Sequence, residues 1–236
     1  MPAWTRSEAQ TSAAKCYVVA VDRPGYGLSD RMQNYSYSQW ARDSREVMQQ
    51  LGAPQFSTIG YSSGGPFALA TAALVPECVS AALISSDGPY REIGGEDLIQ
   101  KMYGFTELTF ENSVPAAEKN ESSLRTAYEG MKNTERRQLA LADLDNAVVQ
   151  GLEGAAFDAH LEAGTWGFDL EKCTTHISLF HGKDDDVVPV SVAEYLHSKL
   201  KHSSLSIIDG ENHTLPRRHW QSILSAVRET SKRHKM

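Results

Sequence analysis

The 236 residues include only three cysteines, Cys16, Cys78 and Cys173, and no two of them form a C-x-x-C pair. Their odd number and scatter argue against a metal cage and against a disulfide scaffold. A reduced, cytoplasmic setting is therefore expected. Positive charge is also short: 23 lysines and arginines stand against 30 aspartates and glutamates, a net charge of -7. That balance argues against nucleic acid and against an anionic membrane as partners. The basic tail from Ser231 to Met236 is too short to reverse it and reads as a solvated end. The opening Met-Pro-Ala-Trp-Thr-Arg-Ser-Glu lacks the apolar core of a signal peptide. The most apolar run, Phe67 to Ile84, is interrupted by Pro76-Glu77 and reads as a helix followed by a strand, not as a membrane span. With no repeat or low-complexity segment, the length fits one sizeable domain carrying an insertion.

What is present has a rhythm. Cys16 to Val21 is rich in β-branched residues and ends in the turn Asp22-Arg-Pro-Gly-Tyr-Gly27, which predicts a buried strand. Ser38 to Leu51 has helical apolar spacing and stops at Gly52. Phe56 to Tyr61 predicts a second strand, Gly65 to Leu74 a helix, and Val79 to Ser85 a third strand followed by Asp87-Gly-Pro. From residue 91 to 172 the strands disappear. Glu96 to Phe105, Val114 to Met131 and Glu135 to His160 all predict helix. Strand rhythm returns at His176 to His181 and Leu205 to Asp209, with helices at Val192 to Leu200 and Arg218 to Thr230. Strands alternating with helices predict an α/β fold, a doubly wound, mostly parallel sheet covered on both faces. Residues 1–90 and 173–236 form its core, and 91–172 a helical cap over the carboxyl ends of the strands.

Gly60-Tyr-Ser-Ser-Gly64 spells G-x-S-x-G. By chance alone that string turns up in roughly one such chain in ten, so its setting decides. Ser62 directly follows a predicted strand and precedes a predicted helix, the setting of a nucleophile elbow. Gly60 and Gly64 suit a tight turn with neighbouring chain close by. The new helix offers the Ser63 N–H to an oxyanion. A hydroxyl needs a base. His160, His197, His202, His219 and His234 lie on helical or charged stretches, while His176 and His181 bracket a strand, His181 meeting a local hydrogen bond. His213 sits instead in a loop directly after the last strand, where it reaches towards Ser62. The orienting acid is either Asp87, after the third strand, or Asp185, since Asp184 and Asp186 read as a solvated acidic turn. Adjacent carboxylates diverge, so these three do not predict a metal site.

Together these residues resemble the α/β-hydrolase superfamily, from about Cys16 to Thr230. The marks are Asp22-Arg-Pro-Gly-Tyr-Gly-Leu-Ser29, the elbow Gly60 to Gly65, Trp166-Gly-Phe-Asp169, His181-Gly-Lys-Asp-Asp-Asp-Val-Val-Pro189 and the histidine loop. The resemblance implies Asp185 as the acid, three residues after the glycine, giving a Ser62–His213–Asp185 triad. It implies a serine hydrolase that cleaves an ester or related acyl bond through an acyl-enzyme. No cofactor or metal is expected; the partner is a small acyl substrate, with a homo-oligomer left open. Tyr61, beside the nucleophile, and Trp166, where the cap returns, are the expected substrate contacts. The family carries three further strands and a His-Gly oxyanion loop at the front, where this sequence has only residues 1–15. The chain is thus expected to be N-terminally truncated. The alternative is a catalytically impaired homologue that binds a ligand or partner.

Overall fold

The structure is a computed structural model that describes residues 16–107 and 109–233. The expectations for residues 1–15, His234 and the end of the basic tail lie outside the described residues. The described elements, in chain order, begin with α1 (Tyr37–Gln50), β1 (Phe56–Tyr61), α2 (Gly64–Leu74) and β2 (Cys78–Ile84). Four helices follow: α3 (Tyr90–Tyr103, kinked at Gly95), α4 (Phe110–Glu129), α5 (Thr134–Ala147) and α6 (Glu153–Ala163). The chain then closes with β3 (His176–Gly182), α7 (Val190–Lys199), β4 (Ser203–Ile208) and α8 (Pro216–Arg233).

The four strands form one parallel sheet in the order β1-β2-β3-β4. Parallel neighbours need crossovers, and these helices bury both faces of the sheet. Along β2 the side chains alternate: Ala81 and Leu83 pack with Phe67, Leu69, Val192 and Leu196 on one side. Ala82 and Ile84 pack with Trp220, Ile223 and Leu224 of α8 on the other. Every residue of β2 is buried, as the central position requires. Helix starts follow local chemistry: Ser36 Oγ accepts from Gln39 N at 3.2 Å to cap α1, and Pro216 opens α8, where its missing N–H costs nothing. No helix among the described residues is long and apolar enough to cross a membrane.

Two expectations are corrected. Cys16 to Val21 is not a strand; it belongs to no ladder, and Tyr17 is 91% exposed. A β-branched run becomes a strand only where a neighbour takes its backbone groups, and among the described residues β1 pairs with β2 alone. The helix expected from Glu135 to His160 is two helices. Gly151, at φ 98°, turns the chain between them, and Gln150 Nε2 donates to the carbonyls of Gly27 and Ser29 at 2.8 and 2.9 Å.

That break fastens the inserted helices to the Asp22-Arg-Pro-Gly-Tyr-Gly27 turn. Gly27 N donates to the Ala147 carbonyl at 3.2 Å, Arg31 pairs with Glu153 at 3.1 Å, and Arg23 pairs with Asp158 at 2.7 Å. The inner pair, Arg23–Asp158, is the costly one to break: stranding a largely buried charge typically costs about 3–5 kcal/mol.

Candidate active site

β1 delivers Ser62 at the carboxyl end of the sheet, and α2 starts two residues later. Ser62 has φ 52°, a left-handed conformation that costs a non-glycine residue of order 1–3 kcal/mol. The surroundings hold it there: Ser62 N donates to the Ile84 carbonyl at 3.0 Å, and the Ser62 carbonyl accepts from Gly65 N at 2.8 Å and Asp87 N at 3.2 Å. A β-carbon on Gly60 would lie 2.7 Å from Gly65 Cα, and one on Gly65 would overlap the Ser86 side chain. Close approach therefore demands glycine at 60 and 65. Gly64 differs from expectation, because a β-carbon there would meet only Arg23 Nη1, at 3.9 Å. Ser63 is the N-cap of α2, so its N–H belongs to the helix-start donors that have no acceptor within the helix.

His213 stands in the loop after β4. The loop lies tight on the end of β3, where a β-carbon on Gly182 would overlap the Glu211 carbonyl. Asp184 N donates to that carbonyl at 2.9 Å. The Glu211 carboxylate accepts from Arg218 Nη1 and His219 Nε2, both at 3.1 Å, tying the loop to α8. So fixed, His213 Nε2 is 3.1 Å from Ser62 Oγ. Its Nδ1 is 3.0 and 3.1 Å from the two oxygens of Asp185. A carboxylate only accepts, so Nδ1 carries the proton and Nε2 presents its lone pair to the hydroxyl.

Of the three consecutive aspartates only Asp185 turns inward, with its side chain wholly buried while Asp184 and Asp186 are exposed. Burial alone would raise its carboxyl. The hydrogen bond and charge of His213, with the N–H of Val188, outweigh burial and hold it below the usual carboxylate range. Val187 N and Val188 N donate to Oδ1 at 3.0 and 2.9 Å. His181, 1% exposed, bonds the Val188 carbonyl at 2.9 Å through Nε2 and steadies the same turn. The rival acid, Asp87, is engaged elsewhere: its carboxylate accepts from the Tyr90 hydroxyl, and its N–H donates to the Ser62 carbonyl at 3.2 Å. Among the described residues no group of three or more histidine, cysteine or acidic side chains is placed to hold a metal.

The two residues expected to contact substrate, Tyr61 and Trp166, make these contacts within the protein. The Tyr61 hydroxyl donates to the His213 carbonyl at 3.0 Å, and its ring lies 5.1 Å from the imidazole. Trp166 is 5% exposed, packed in the core between Tyr37 and Phe168 at 5.6 and 5.7 Å.

The family model described as alpha/beta hydrolase fold matches residues 3–216. The chain belongs to that family. Similar solved structures include an esterase from Exiguobacterium antarcticum, 24% identical with a TM-score of 0.71, covering 95% of this chain and 86% of that one. A bromoperoxidase from Bacillus anthracis superposes with a TM-score of 0.72 at 21% identity, covering 97% and 86%. Among curated proteins, a pimeloyl-[acyl-carrier protein] methyl ester esterase of Neisseria meningitidis is 26% identical over 205 residues, 83% of this chain and 75% of its own length.

The hydrolase carries one cluster that the sequence reading missed. Asp158 and Glu162 lie one turn apart on α6, both facing inward at 5% and 2% exposure. Glu162 Oε2 accepts from the Tyr103 hydroxyl at 2.8 Å, while Oε1 is buried without a partner. Burial first, then the charges of Asp87 and Asp158, raise the Glu162 carboxyl well above its ordinary 4.5. The protonated acid is the stable form inside, so this group's contribution to stability is complete below its unfolded value and is lost as pH rises towards the folded one. Glu162→Gln keeps the shape and the acceptor without the charge. It should melt with the parent near pH 4.5, and about 3–6 °C higher at about pH 8, a difference of about 1–2 kcal/mol. Equal melting temperatures across that range would contradict the assignment.

Proposed function

We propose that this hydrolase is a serine esterase acting on a small acyl ester through a Ser62–His213–Asp185 triad. The single observation that carries the reading is the unbroken line of contacts from Ser62 Oγ to His213 Nε2 at 3.1 Å and from Nδ1 to Asp185 at 3.0 Å, with Ser62 held at positive φ. The relatives and neighbours named as esterases support an ester as the bond cleaved.

Ser62 Oγ attacks the ester carbonyl carbon while His213 Nε2 takes its proton. The Ser63 N–H meets the charge that develops on the carbonyl oxygen, and Asp185 stabilises the imidazolium. Collapse of the tetrahedral adduct breaks the bond to the alcohol oxygen, which leaves with the proton from Nε2. Water, deprotonated by the same nitrogen, then attacks the acyl-enzyme and releases the acid with Ser62 restored. The inserted helices, residues 91–172, act as the cap that admits the acyl group.

Tyr61 serves this reaction as a positioning residue, holding the histidine loop against the elbow from the position next to the nucleophile. Tyr61→Phe removes one hydrogen bond, worth about 0.5–1.5 kcal/mol. The expected result is a kcat about 3- to 10-fold lower with KM unchanged. A raised KM at constant kcat would return Tyr61 to substrate binding. The experiment for the proposal as a whole is hydrolysis of short-chain esters by the purified chain, compared with Ser62→Ala. Ester cleavage that survives the substitution would sink it.

A further inference from the structure

His213 lies in the loop between β4 and α8, and different chemistry anchors its two flanks. Two residues downstream, Leu215 is fully buried in the cluster of Trp220, Ile223 and Leu224. Two residues upstream, the matching position holds an acid, Glu211, only 9% exposed. A carboxylate is costly to place there unless donors surround it. The start of α8 provides two: Arg218 Nη1 and His219 Nε2 both donate to the same oxygen, Oε1, each at 3.1 Å. The Arg218 side chain is 72% exposed and that of His219 30%, so solvent screens the arginine more and His219 is the stronger half of the clamp. The hydrogen bond from His219 leads in holding the Glu211 carboxyl below its ordinary value. The group is therefore charged at any pH where an imidazole serves as base. The main chain of Glu211 faces the other way. Its carbonyl accepts from Asp184 N at 2.9 Å, next to Asp185, and lies 2.4 Å from where a β-carbon on Gly182 would be. Glu211 thus joins α8, the acid turn after β3 and the flank of His213.

We propose that Glu211 is a positioning residue for the esterase reaction: its carboxylate, clamped by His219 and Arg218, sets where the His213 imidazole stands between Ser62 and Asp185. The inference rests on the triad reading, because Glu211 acts on the reaction through His213. The imidazole must meet Ser62 Oγ at 3.1 Å through Nε2 and Asp185 at 3.0 Å through Nδ1. Both contacts hold only in a narrow range of ring positions, and a misplacement of about 1 Å costs about 100-fold in rate. The Tyr61 hydroxyl pins the His213 carbonyl at 3.0 Å, and Leu215 fixes the downstream flank. The upstream flank depends on the Glu211 clamp. An anion also suits the place, since the N-terminal end of a helix favours negative charge.

The test compares Glu211→Ala and Glu211→Gln with the unsubstituted chain on one short-chain ester, well below all three melting temperatures. Glu211→Ala should lower kcat about 10- to 100-fold with KM unchanged. Glu211→Gln, whose amide oxygen has the same reach to both donors, should recover most of that loss. The proton on His213 Nδ1, followed by its downfield NMR signal, should shift or broaden in Glu211→Ala and return in Glu211→Gln. Beside Asp185→Asn, Glu211→Ala should cost less than about threefold, because groups that act as a unit are not additive. If Glu211→Ala does not fold, His219→Ala removes the stronger bond from the α8 side and is read by the same kcat, KM and Nδ1 criteria. A change in KM alone, an Nδ1 signal that does not move, no recovery in Glu211→Gln, or a full loss beside Asp185→Asn would each overturn the positioning role. Fluorophosphonate labelling of Ser62 in the unsubstituted chain reads the triad separately. Labelling with kcat unmoved by Glu211→Ala removes the positioning role alone. An Nδ1 signal that moves with Glu211→Ala in a chain that takes no label removes the esterase reading alone.

Discussion

Asp185→Asn should lower kcat by about 10⁴-fold, while Asp87→Asn lowers it far less. An asparagine can present its amide N–H to Nδ1, which moves the imidazole proton to Nε2 and removes the lone pair that Ser62 needs. Asp185 is also the carboxylate that the fold has prepared, with Val187 N and Val188 N on Oδ1 and His213 Nδ1 between its two oxygens. Asp87 accepts from the Tyr90 hydroxyl and donates its N–H to the Ser62 carbonyl instead, so its amide perturbs the elbow without changing the tautomer of His213. The measurement is kcat on one ester at fixed pH for both variants, with melting temperatures as controls. A larger loss in Asp87→Asn would exchange the two assignments. Because the Asp185 carboxyl lies below its ordinary value in the folded chain, its ionised form contributes stability above the unfolded value. That contribution is lost as pH falls through the folded value, so Asp185→Asn should narrow its stability deficit in acid.

Ser62→Ala has the largest expected effect, a loss of about 10⁶-fold in kcat. The methyl side chain keeps the backbone contacts to Ile84, Gly65 and Asp87 that hold the turn, and removes only the hydroxyl facing Nε2. Loss of activity should therefore come with a nearly unchanged melting temperature. A variant that loses activity by unfolding would say nothing for the triad; one that stays folded and active would contradict it.

The legible parts of the sequence were those where one short stretch carries its own physics. Ser62 sat between a strand run and a helix run, and His213 in a loop after a strand; the structure places both at the carboxyl edge of the sheet, 3.1 Å apart. Asp185 was harder. Local chemistry left Asp87 open, and resemblance to the family chose between them. What was not legible depends on pairs distant in the chain. Arg23 meets Asp158, Tyr103 meets Glu162, and Tyr61 meets the His213 carbonyl only once the inserted helices and the last loop have folded over the sheet. Cys16 to Val21 shows the converse. Its composition suits a strand, but a strand is a property of two segments, and among the described residues this one forms no ladder.

The central claim is that Ser62 is activated by His213, and intact-mass labelling with a fluorophosphonate tests it without knowledge of the substrate. The account predicts one adduct on the folded chain, absent from Ser62→Ala and formed at a strongly reduced rate in Asp185→Asn. A folded chain that takes no adduct, or one whose adduct persists in Ser62→Ala, would contradict it.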